Sequence, residues 1–178
     1  MRLAAQVMLA YAIVLVLGCL WHFLPWPRAA PDVAALSAGY LGLTTRRDLA
    51  SPTLAAVIVG YLADLLGGTP PGLLALTCGL LCIAGHLVHR RLLVRGARLT
   101  LGFSFFTALA AGLIVMALRG LGGTSPPGQL GRELGWLAVA SIVTGLFGPL
   151  VFWLCRRLDA RFARTHRERD AALEGLQL

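Results

Sequence analysis

One acid stands well inside an apolar run of this sequence: Asp64, within Tyr61-Leu62-Ala63-Asp64-Leu65-Leu66. A carboxylate at the centre of a membrane helix costs about 2.5–3.5 kcal/mol to insert, and less near the end of a span. It is therefore expected to face protein or a water-filled cavity. Ala56, Gly60 and Asp64 recur at i, i+4 and i+8 and share one helix face. Two small residues let a neighbouring helix come close enough to give the acid a partner. The pattern suits either a proton or cation site or a hydrogen bond at a helix seam. The second reading is favoured, because no other acid lies deep in an apolar run to form a relay. A second constellation is Cys78, Cys82 and His86, again at i, i+4 and i+8. Two thiolates and an imidazole can ligate a soft metal, but a fourth ligand is missing and no metal is expected. His86 is expected to bond a backbone group, or Asp64 if a turn brings the two level.

Hydrolytic chemistry has no visible constellation. Ser37, Ser104 and Ser141 lie in apolar stretches without a His/Asp partner at recognisable spacing, and neither a Gly-x-Ser-x-Gly nor a phosphate loop occurs. The remaining acids, Asp32, Asp48, Glu133, Asp159, Glu168, Asp170 and Glu174, fall at ends, in loops or in the C-terminal tail. The expectation is a protein that is not an enzyme and has no cofactor.

The elements that must carry these residues are membrane helices. Of 178 residues, 57% are hydrophobic and 13% charged, with a mean hydropathy of +0.76. Soluble domains carry roughly 25% charged residues. The formal charge of +8 comes from sixteen arginines and no lysine. These lie between and after apolar runs, which favours topology over nucleic-acid binding. Cys19, Cys78, Cys82 and Cys155 lie in or at the ends of apolar runs and read as small hydrophobes. The expected fold is all-α and polytopic. Its spans run over about 3–24, 31–45, 50–66, 72–88, 99–118 and 134–155, forming one domain over 1–155 with a basic cytoplasmic tail over 156–178. The second segment is short, so five spans remain an alternative to six. Val16-Leu17-Gly18-Cys19 resembles a weak lipoprotein cleavage box. Cleavage would leave the apolar start Leu20-Trp21-His22-Phe23, so an uncleaved anchor is expected, with Trp21 and Trp26 at the interface.

The arginines set the orientation. With six spans and the N-terminus inside, thirteen arginines fall on the inner side, and only Arg28, Arg119 and Arg132 on the outer. Five spans with the N-terminus outside swap Arg2 for Arg28 and score the same; both place the C-terminus in the cytoplasm. The tail carries six arginines and four acids, and Leu158, Phe162, Leu173 and Leu176 fall roughly on one side of a helix. Anionic headgroups, a cytoplasmic partner or a purely topological role all suit it. Leu66-Gly67-Gly68-Thr69-Pro70-Pro71-Gly72 is echoed by Leu121-Gly122-Gly123-Thr124-Ser125-Pro126-Pro127-Gly128. The demands of tight turns explain this better than duplication.

Pro31-Asp32-Val33-Ala34-Ala35-Leu36 opens the short segment, and Gly60-Tyr61-Leu62-Ala63-Asp64-Leu65-Leu66-Gly67-Gly68-Thr69-Pro70-Pro71-Gly72 closes the third span and starts the fourth. This pattern resembles the rod shape-determining MreD family. Its members have a Pro-Asp or Pro-Asn opening before span two and a Gly-x-x-x-Asp-x-x-x-Gly-x-Pro-x-Gly-like stretch at the later turn. The likeness covers nearly the whole chain, although Pro71 and the Gly120 to Gly131 loop depart from the family pattern. It implies a six-helix arrangement similar to the substrate-binding subunits of energy-coupling-factor transporters. It also implies a non-catalytic place in the bacterial elongation machinery of the inner membrane. Partners would be MreC, with RodA, a class B transpeptidase and, indirectly, MreB. The residues implied for structure or partner contact are Gly60, Asp64, Gly67, Gly68, Pro70 and Gly72. The alternative function is a small-molecule-binding membrane subunit of a transporter. That role needs polar groups converging from several spans, and Gln6, His22, Asp64, Thr77 and His86 with some hydroxyls are few for it.

Overall fold

On α3 and α4 most large apolar side chains point outward and mainly small ones inward. On α3 (Ala50–Gly67), Leu54, Ile58, Tyr61, Leu65 and Leu66 are exposed, while Ala55, Ala56, Val59, Gly60, Ala63 and Asp64 are buried. On α4 (Leu73–Arg91), Leu76, Leu80, Ile83 and Leu87 face out, and Ala75, Cys78, Cys82 and Gly85 face in. Hydrocarbon solvates the outer faces, and helices that gain nothing by hiding leucine from lipid associate through small residues. The computed structural model describes residues 2–23, 30–44, 49–91, 97–121 and 130–175. Trp26, Arg46, Arg47, Asp48, Arg95, the Gly122–Gly128 echo and Leu176 lie outside them.

Among the described residues the fold is all-α, with six helices: α1 (Arg2–His22), α2 (Val33–Thr44), α3, α4, α5 (Ala97–Leu121) and α6 (Leu130–Gly175). Four of them are long and apolar enough to cross a membrane, over Leu3–Trp21, Ala50–Gly67, Leu99–Leu121 and Gly131–Phe162; Val33–Thr44 and Leu73–Val88 are shorter apolar helices. This makes the chain a multi-pass membrane protein by length and composition.

The short helix is the centre of the bundle. α2 has 12 residues, or about 18 Å of rise. Val33 to Gly42 are all buried, ten in succession, and α2 touches each of the other five helices. A helix apolar on every side is expected where protein surrounds it completely. Asp32 caps it: its Oδ1 accepts the Ala35 N–H at 2.9 Å, and its own N–H donates to Thr144 Oγ1 of α6 at 3.0 Å. Thr144 lies fourteen residues into α6, so α2 begins about 21 Å along that helix. At the Gly42–α4 crossing the backbones nearly touch. A Cβ on Gly42 would lie 2.2 Å from the Cys82 carbonyl oxygen and 3.1 Å from the His86 nitrogen.

α6 continues as one helix across the expected start of the tail at residue 156. The helix does not stop at Cys155 but runs for 46 residues, about 69 Å, to Gly175. Its buried stripe, Ser141, then Thr144 with Gly145, Gly148, Val151 with Phe152, and Cys155, returns every three or four residues, and Asp159 falls next in that phase. Asp159 belongs to the segment read as tail from the sequence. It accepts hydrogen bonds from Tyr40 Oη at 2.7 Å and Gln6 Nε2 at 2.6 Å, tying α2 and α1 to α6. Tyr40→Phe should cost roughly 1–2 kcal/mol, because the carboxylate loses one donor while its partial exposure limits the penalty. Thermal unfolding in detergent measures this. A cycle of Tyr40→Phe with Asp159→Asn should show non-additivity, and strictly additive losses would show that the two side chains do not act together.

Candidate functional site

Of the six residues implied for the site, Gly67, Gly68, Pro70 and Gly72 build the α3–α4 turn, while Asp64 and Gly60 lie on α3 beneath it. α3 ends on Gly68 with φ 62° and ψ 20°, a left-handed stop suited to glycine. The chain reverses through Thr69, Pro70 and Pro71, and Gly72 takes φ 97°, again a glycine conformation. The Pro70 carbonyl accepts the Leu73 N–H at 3.2 Å, and α4 starts there. Gly67 closes α3 on the exposed side, where an added Cβ would meet only the Thr69 side chain at 3.9 Å.

Asp64 organises this turn from within. It is 1% exposed. Oδ1 accepts the Thr69 hydroxyl at 2.5 Å and the Leu74 N–H at 3.1 Å. Oδ2 accepts the N–H groups of Gly72 at 3.0 Å, Leu74 at 3.0 Å and Ala75 at 3.2 Å. The first turn of any helix leaves N–H groups without intrahelical partners, and its positive dipole end favours an anion. One carboxylate from the preceding helix thus meets both needs of α4. Gly60, one turn below, explains how it reaches. A Cβ there would lie 2.5 Å from the Leu74 carbonyl oxygen and 2.7 Å from the Ala75 Cα. The missing side chain brings α3 and α4 into backbone contact, so a short aspartate spans the gap.

Cys78, Cys82 and His86 serve a different purpose. Cys78 and Cys82 are 1% and 0% exposed, and the Thr53 hydroxyl lies 3.9 Å from Cys82 Sγ. Cys82 and His86 border the groove that receives Gly42 of α2. Among the described residues, no group of three His, Cys, Asp or Glu side chains is placed to hold a metal ion. Asp64 and His86 are not brought together: among the described residues the carboxylate bonds Thr69, Gly72, Leu74 and Ala75, all in the turn and the start of α4. Ser37 and Ser141 donate to Ala34 and Leu137 carbonyls of their own helices, each at 2.8 Å. Ser104 Oγ is buried with no hydrogen-bond partner among the described residues and fills the space beside Gly148, where a Cβ would come within 2.0 Å of it.

Sequence reasoning singled out the Asp64 turn but missed the Gln6–Tyr40–Asp159 tie. The helical phase from Phe152 through Cys155 to Asp159 carried a signal for it. The Asp32 cap was legible in Pro31-Asp32 ahead of an apolar run. No family model, no curated protein and no solved structure matches the chain.

Proposed function

We propose that this chain is a non-catalytic, MreD-like component of the bacterial cell elongation machinery. It would lie in the inner membrane with its C-terminus in the cytoplasm and hold an MreC-like membrane protein beside RodA and a class B transpeptidase, with MreB linked indirectly. The reading includes the similarity to energy-coupling-factor substrate-binding subunits expected of that family. The observation that carries it is the use made of Asp64. Both oxygens of this deeply buried acid are engaged by the turn. A motif spent in this way produces a rigid, shaped helix pair rather than a reactive group, which suits a scaffold. Exposed Leu54, Ile58, Tyr61 and Leu65 on α3 give that pair an apolar face for a partner's membrane helix.

Photo-crosslinking in native membranes, followed by purification in mild detergent, tests the proposal. Recovery of an MreC-like protein, together with rounding of rod-shaped cells on depletion, is the expected result. Unchanged rods would overturn it, as would recovery of an energising ATPase module with saturable ligand binding, which would select the transporter alternative.

A further inference from the structure

A cavity of about 580 Å³ lies beside the start of α2. Its walls include Leu17 and Gly18 of α1, Ala34 of α2, Ala63 and Leu66 of α3, and Leu74 of α4. That volume falls in the range of roughly 300–1,000 Å³ for small-molecule sites, which are mostly apolar with a few placed polar groups. Here the ionisable carboxylate among the described lining residues is Asp32. Its carboxylate is engaged by the N–H groups of Ala35, at Oδ1, and Ala34, but a carboxylate offers about four acceptor positions, so capacity remains.

We propose that this cavity binds one bilayer lipid, its chain along the apolar walls and an N–H-donating ammonium head on Asp32. Two observations select that occupant. The rim carries exposed apolar side chains, Leu15 at 37% and Leu66 at 46%, from two helices long and apolar enough to cross the membrane. The entrance therefore faces hydrocarbon, and the ligand arrives from the bilayer. The acid, set among apolar side chains, gains most from a charged donor that restores what water would have given it. Phosphatidylethanolamine has such a head, whereas the trimethylated head of phosphatidylcholine has no N–H to donate. The site is independent of the partner proposed above, and absence of an MreC-like protein would leave it standing.

The test uses the full chain in nanodiscs with diazirine-bearing phosphatidylethanolamine or phosphatidylcholine of identical chains, and crosslinks are mapped by mass spectrometry. Labelling over residues 14–19 and 30–34 should favour the ethanolamine lipid roughly tenfold, the effect of one charge-assisted hydrogen bond. Asp32→Asn retains a good helix cap and should bring the ratio to about one. Gly18→Leu should suppress labelling with both lipids, because a Cβ at Gly18 meets nothing within 4 Å and the new side chain can occupy the cavity without a clash. Labelling near exposed Ile142 and Leu146 of α6 should not change, and it reports that each variant is folded in the bilayer. Equal labelling by the two lipids in the unaltered chain would overturn the proposal. So would a Gly18→Leu variant that labels as before, or an ethanolamine preference that survives Asp32→Asn.

Discussion

Asp64→Leu should cost roughly 3–5 kcal/mol and leave little folded protein in detergent. The substitution removes the acceptor for Thr69 and for the N–H groups of Gly72, Leu74 and Ala75. Each buried donor left without a partner costs about 1–3 kcal/mol, and here several are lost together. Asp64→Asn is the informative comparison. All contacts to the carboxylate are accepted from donors, so an asparagine can satisfy only the half that its oxygen faces. Its NH2 group would oppose N–H groups that also donate. The expected order of thermal midpoints is therefore Asp, then Asn, then Leu, with Asn roughly midway. Equal midpoints for Asn and the unaltered chain would show that the charge and second oxygen contribute nothing, and that the turn holds by glycine and proline geometry alone.

Gly42→Ala should be nearly as damaging, although it adds one methyl group. The new carbon would lie 2.2 Å from the Cys82 carbonyl oxygen, and Gly60→Ala would place one 2.5 Å from that of Leu74. Both obstacles are backbone, so neither is relieved by a rotamer change, and the helices must separate. Overpacking of this kind costs about 1–3 kcal/mol, more where no side chain can yield. Gly135→Ala on α6 is the control, since a Cβ there meets nothing within 4 Å and alanine favours helix by about 0.5–1 kcal/mol. Size-exclusion profiles and thermal midpoints in one detergent should show losses at 42 and 60 and none at 135. If all three behaved alike, contact between the helix backbones would not be what holds α2 and α3 to α4.

What the sequence disclosed follows from the range of each interaction. The helices were legible from apolar run length, with α3 expected over 50–66 and found over Ala50–Gly67. The Asp64 turn was legible because all its members lie within thirteen residues, where Gly, Pro and a lone acid have strong local meaning. Two features were hidden for opposite reasons. The centrality of α2 depends on five neighbours that its own residues do not name; uniform apolarity says only that no side faces water. The Asp159 tie spans 153 residues to Gln6 and 119 to Tyr40. Arg156 and Arg157 beside it suggest a solvated tail, and only the phase of the buried stripe argues otherwise.

The central place of α2 also constrains how the chain is assembled. Its walls come partly from α1 and partly from α6, which begins only at Leu130, 86 residues after α2 ends at Thr44. Until then an 18 Å cylinder, too short to cross about 30 Å of hydrocarbon unaided, has no complete enclosure. α6 is thus the closing wall of a compartment that α1 and α2 open, so helices far apart in the chain become mature together.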